Sequence, residues 1–109
     1  MSGATSHIIE LRGNLGVRDA ARLAQALLQA LERYAAVTVD AGALESADIS
    51  ILQVLAAARK SAAKAGRPLA LTSGEALTRT LIKAGFLAAD GSPATPEGAF
   101  WVGAEERAA

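Results

Sequence analysis

Cysteine does not occur in the 109-residue chain, which excludes disulfides, thiolate zinc sites and a cysteine nucleophile, and suits a reducing compartment. Aromatic residues are only 4% of the chain, so its core must be built from Leu, Ile, Val and Ala. Neither sign of charge is in excess, with 11 Lys and Arg against 11 Asp and Glu. The basic residues are spread along the sequence and form no stripe that would neutralise phosphates, so nucleic acid is not an expected partner. No apolar run approaches the roughly 20 residues needed to cross a bilayer, so direct membrane insertion is not expected. Met1 to Ser6 has neither the basic region nor the hydrophobic core of a secretory signal. A soluble, cytoplasmic location is the expectation.

What remains is a globular composition, 51% apolar and 20% charged, too hydrophobic for disorder. Its length suits one domain over 1–109, with a core at about 7–87 and a tail at 88–109.

His7-Ile8-Ile9-Glu10-Leu11 is short and β-branched, and predicts a first strand. Gly13-Asn14-Leu15-Gly16 supplies turn residues, with a brief extended piece at Leu15. From Val17 to about Tyr34 the recurrence of Ala20, Leu23, Ala24, Leu27, Leu28 and Leu31 predicts an amphipathic helix on a sheet. Ala35 to Asp40 predicts a second strand with Val37 and Val39 on one face, dense enough in apolar residues to suggest cover on the other face too. Ala41 to Asp48 is assigned to a loop. A second helix should run from Ile49 to Ala65 and stop at Gly66. Pro68 to Thr72 predicts a third strand and Glu75 to Ala84 a third helix, with Gly85 as its cap. In the tail, Thr95-Pro96-Glu97 has the form of a helix start, preceding a short helix that carries Phe100, Trp101 and Val102. Alternation of strand and helix argues for an α/β layer with parallel strands joined by right-handed crossovers. Loops beyond the carboxyl ends of those strands, the one after Asp40 among them, are where ligands would be met.

Catalytic material is scarce. The single histidine, His7, lies in a strand with no evident partner and is assigned a structural role. Gly13-x-x-Gly16 lacks the further glycine and the lysine–hydroxyl pair of a phosphate loop. Asp40, Glu45 and Asp48 have the spacing of no known cation loop, so solvated loop charges are the better assignment. Ser50 has no base, oxyanion signature or nucleophile elbow near it in sequence. No enzyme activity, cofactor or metal is expected.

The second helix offers a surface instead. At 100° per residue Leu52, Leu55, Arg59 and Ala62 share one side and should face the sheet. Ser50, Val54, Ala57 and Ser61 share the opposite side, flanked by Lys60 and Lys64. That second stripe is small, smooth and mildly apolar, as a docking face would be, although single surface Val and Ala residues are ordinary. Asp48 and Ser50 stand where a helix begins, where unpaired N–H groups and the positive end of the dipole favour a phosphate carried on a hydroxyl. The plain alternative is that both residues simply cap the helix.

Val37-Thr38-Val39-Asp40, then Asp48-Ile49-Ser50-Ile51-Leu52, then an Ala/Arg/Lys helix ending at Gly66 and the strand Pro68-Leu69-Ala70-Leu71 together resemble a STAS domain, the family of the anti-sigma factor antagonists. The resemblance covers roughly Ile8 to Leu87. The family's central pattern is Asp-Ser-Ser-Gly-Leu or a variant with Thr or Ala; Asp48, Ser50 and Leu52 match it, while Ile49 and Ile51 depart. The resemblance implies a small domain with a mixed, mostly parallel sheet of about four strands and three to four helices packed mainly on one face. It also implies a regulatory, transcription-linked interaction protein of the anti-anti-sigma type in bacterial signal transduction. Ser50 lies where family members carry the phosphoacceptor, and Asp48, Ile49, Ile51, Val54, Ala57 and Ser61 would meet the partner. That partner would be a serine kinase that also acts as an anti-sigma factor, or another histidine-kinase-like ATPase. The family equally implies two alternatives. One is a subunit of a lipid-transport ABC system that binds the transporter ATPase without phosphorylation. The other is a regulator associated with chemotaxis or two-component systems.

Overall fold

Three strands lie side by side in chain order, β1 (Ser6–Leu15), β2 (Ala36–Ala47) and β3 (Leu69–Thr72), and both pairings are parallel. Between and after them come α1 (Val17–Arg33), α2 (Ile49–Ala65), α3 (Gly74–Ala84) and a single-turn α4 (Gly98–Trp101). The structure, a computed structural model, describes residues 6–92 and 98–101. The predicted cap Thr95-Pro96-Glu97 and Val102 lie outside them. Adjacent parallel strands joined by right-handed crossovers put α1 and α2 on the same face of the sheet, and these two helices pack side by side.

That face holds one aliphatic core. Val37, Val39 and Ala41 of β2 are buried beneath Leu23, Leu27 and Leu31 of α1, Ile51, Leu52 and Leu55 of α2, and Leu77 and Leu81 of α3. Each such Leu or Ile contributes on the order of 2 kcal/mol by leaving water. Among the described residues nothing covers the reverse face as the density of β2 suggests: Ile8 is exposed, and Thr38, its partner in register, is only half-buried. The strand period of two sends Val37 and Val39 to the helices and leaves Thr38 and Asp40 on the open side.

The α/β class, the parallel strands and the helices on one face are as expected; three strands pair, not about four. Leu87 makes only an isolated bridge, and no further strand occurs among the described residues. A larger correction concerns Ala41 to Ala47, which is strand and not loop. β1 likewise runs on through Gly13-Asn14-Leu15, and the two extensions pair with irregularities between Glu10 and Arg12 and between Gly13 and Asn14. Such bulges bend a strand pair and increase its twist. Ser46 Oγ donates to Asn14 Oδ1 at 2.6 Å across the extension, and Asp48 N donates to Leu15 O at 2.9 Å where it ends. The start of α2 is thus held by a strand and not by a loop. At the opposite end of β1, His7 stacks on Tyr34, the residue that ends α1, with ring centroids 4.5 Å apart.

Candidate partner-docking site

Asp48 is the N-cap of α2. Its extended backbone (φ −74°, ψ 158°) turns the carboxylate back over the first helical turn. Asp48 Oδ2 accepts the Ser50 backbone N–H at 2.9 Å and the Ser50 hydroxyl at 2.7 Å. One of the unpaired N–H groups of the helix start is thereby satisfied. The Ser50 hydroxyl bond, followed by the Ser50 N–H, holds the Asp48 carboxyl below its ordinary pKa, because both stabilise the charged form.

Ser50 is half-buried and opens onto a groove of about 370 Å³ that runs along the seam of α1 and α2. The α2 side is made by Ser50, Gln53, Val54, Ala57 and Ser61, with Ala58 toward the floor, and the α1 side by Ala20, Ala24 and Leu28. Leu28 is 51% exposed. Ser50, Val54, Ala57 and Ser61 therefore do share one face, as their spacing predicts. Ile49 is 52% exposed but does not line the groove; at 100° per residue it falls on the side of Gln53 and Lys60. Ile51 does not belong to the groove face: the side chain is fully buried in the core, so its expected place among the partner contacts is wrong. Around α2 the core side is Ile51, Leu52, Leu55, Ala58 and Ala62, rotated from the stripe centred on Leu52 and Arg59; Arg59 is half-buried.

The α1 half of the groove escapes a reading that assigns all of Ala20, Leu23, Ala24, Leu27, Leu28 and Leu31 to the sheet. The signal is the width of that set: at 100° per residue the six positions span about 140°, and Ala24 and Leu28 lie at the edge farthest from Leu23. Leu27 is fully buried and Leu28 faces the groove. Of the other acids considered, Asp40 Oδ1 accepts the Gly42 N–H at 2.9 Å within β2, where its pairing with β1 is irregular, and Glu45 is exposed. Among the described residues no three His, Asp or Glu side chains gather closely enough to hold a metal ion, and no helix is long and apolar enough to cross a membrane.

A small parallel α/β layer carries the Asp48–Ser50 pair at the head of its second helix, beside an exposed apolar seam, an arrangement suited to an interaction domain. The chain matches the family described as "Mlab, STAS domain" over residues 2–88, and it belongs to that family. STAS domains are regulatory and partner-binding modules that act through protein–protein contacts. A comparison with curated proteins finds no match.

Proposed function

We propose that this chain is a non-catalytic cytoplasmic regulator of the anti-anti-sigma type. It docks a kinase that also acts as an anti-sigma factor, and it is switched by phosphorylation of Ser50. The observation that carries this reading is the placement of Ser50, half-open at the rim of a groove in which Val54, Ala57, Ser61 and Leu28 meet. In the transfer the Ser50 oxygen attacks the γ-phosphorus of the kinase-bound ATP. The hydroxyl proton leaves to a base of the kinase, and ADP departs with the electrons of the broken P–O bond. The product loses the hydroxyl donor that Asp48 Oδ2 accepts at 2.7 Å and gains about −1.5 to −2 charges beside that carboxylate. The helix N-terminus offsets part of the repulsion. The core beneath is untouched, so the domain stays folded while the head of its docking face changes charge.

The test is affinity capture of the partner from the native cell, followed by titration of the purified partner with variants. Ser50→Ala is expected to bind as the parent does, and Ser50→Asp about tenfold or more weakly, as a charge placed at the rim of a docked surface requires. Equal affinity of the two variants removes the switch from this reading. A second reading, docking on the ATPase of a lipid-transport ABC system with no serine chemistry, is favoured by Ile49, which puts an exposed apolar side chain next to Ser50. It predicts a stable ATPase complex in which Ser50 carries no phosphate by mass spectrometry.

A further inference from the structure

Which kind of partner surface fits the groove is decided by its rims. From Ile49 to Ala65, α2 carries Arg59, Lys60 and Lys64 and no acid. At 100° per residue Gln53, Lys60 and Lys64 follow one another along the solvent side of the groove-lining residues Ala57 and Ser61, and all three are exposed. Across the seam the outer side of α1 presents Val17, Ala21, Gln25 and Leu28, neutral side chains that are all exposed, until Glu32 near its end. The floor between them is Ala20, Ala24, Val54 and Ala58. Small side chains leave room for a backbone to come close, as they do where helices pack tightly. From Ser50 to Ser61 the groove spans 11 residue steps of α2, about 17 Å or three helical turns.

We propose that this groove receives one amphipathic helix of a partner protein, apolar on the face it buries and acidic along the flank beside Lys60 and Lys64. The proposal rests on the docking reading above and adds the chemistry of the occupant. Three turns of apolar floor match the i, i+3, i+4, i+7 anchors of a helix laid in a groove, and the one-sided basic rim fixes which flank of that helix is acidic. Asp48 at the opposite end from Lys64 repels acid, so the acidic flank is concentrated toward the Ser61 end, on the Lys60 and Lys64 side and away from Glu32, which stands near Leu28 and Ser61. A phosphate on Ser50 extends that repulsive end into the groove.

The experiment titrates the ¹⁵N-labelled full chain with two synthetic helical peptides of about 18 residues, five turns. Both carry the same apolar stripe, one flanked by Glu and the other by Lys. The acidic peptide is expected to shift the amides of Ala24, Leu28, Val54, Ala57 and Ser61. It should bind about fivefold tighter than the basic one, a gap that narrows in high salt and reverses in the Lys60→Glu/Lys64→Glu variant. Equal affinities, no binding, or shifts mapping elsewhere overturn the proposal. So does a concentration-dependent dimer with the same amides broadened, which gives the groove to a second copy of the chain. Ala57→Arg, at an exposed position, separates the two levels. If it abolishes binding of the captured partner while the peptides remain indistinguishable, the docking site stands and the acidic helix falls; if it changes neither, the site itself falls.

Discussion

Asp48 and Ser50 form a unit in which each residue sets the other's chemistry. The Ser50 hydroxyl is the leading cause of the low Asp48 pKa and the Ser50 N–H the next. Ser50→Ala is therefore expected to move the Asp48 carboxyl back toward its ordinary value of 3.8 without reaching it, because the backbone bond survives; carboxyl NMR titration reads the change. The sign for stability follows from linkage. A carboxyl whose folded-state pKa lies below its unfolded-state value stabilises the fold at pH values above the unfolded one, and that contribution is lost as pH falls through the folded one. Asp90, bonded in the same way by Ser92 N and Oγ, is shifted in the same direction. Urea midpoints should thus hold steady from neutrality to about pH 5 and drop below pH 4, the drop being smaller in Ser50→Ala. The two isoleucines beside Ser50 divide the labour that the sequence leaves joined. Ile51→Ala should cost about 3 kcal/mol in denaturant unfolding, as a buried aliphatic truncation does, whereas Ile49→Ala should stay within about 0.5 kcal/mol and weaken partner binding. A binding loss in Ile51→Ala that exceeds its loss of folded protein would return Ile51 to the docking face. Their assignment was not legible because α2 is apolar around most of its circumference. Gln53, Lys60 and Lys64 mark the solvent side, but Ile49, Ile51, Leu52, Val54 and Leu55 spread so widely around the rest that the packing of α1 and α3 settles the rotation.

Helix boundaries were the most legible elements. Gly66 and Gly85 end α2 and α3 in the left-handed conformation, at φ 68° and 88°, where glycine is the natural stop. The second half of β2 was the least legible, because Ala41-Gly42-Ala43 and Glu45-Ser46-Ala47 have poor strand propensity and no alternation to report a face. Their strand state comes from pairing with Arg12 to Leu15, residues 30 or so positions away, and pairing of that kind overrides local preference. The same segment is approached closely by α3. Gly74, the first residue of α3, has φ 72°, and a Cβ there would lie 2.9 Å from Gly42 Cα and 3.0 Å from Ala41 O. Both neighbours are backbone and cannot swing aside. Gly74→Ala therefore combines left-handed strain with a collision and should cost about 3 kcal/mol or separate α3 from β2. Gly85→Ala, at a comparable φ but with nothing within 4 Å, should cost only the strain, about 1 kcal/mol. Paired thermal melts compare them, and equal losses would mean that the β2–α3 contact is not the close approach described.

Family membership and physical domain do not end at the same residue. The match stops at residue 88, yet Phe100 and Trp101 are the two largest fully buried side chains of the molecule. Trp101 packs edge-on against Phe100 with centroids 5.1 Å apart and tilts against Phe86 at 5.3 Å. Its carbonyl accepts the Ser73 hydroxyl at 2.8 Å, just before α3 begins. In a chain with so few aromatics these contacts close one end of an otherwise aliphatic core, next to β3, which α4 touches. Whole-domain stabilities are about 5–15 kcal/mol, and losing a buried aromatic costs about 3–5. A chain ending at Ser92 loses both Phe100 and Trp101 and should be largely unfolded at 25 °C, although it retains all of the family match. The indole is a separate matter. Trp101 Nε1 is buried with no hydrogen-bond partner among the described residues, and an unsatisfied buried donor costs about 1–3 kcal/mol. Trp101→Phe removes that donor together with part of the ring, so its cost should be about 1 kcal/mol, far below that of Trp101→Ala. Urea unfolding of the three variants orders them as Phe, then Ala, then the truncation. A truncated chain with the parent's midpoint would show that the core is complete by residue 92 and that the tail merely rests on it.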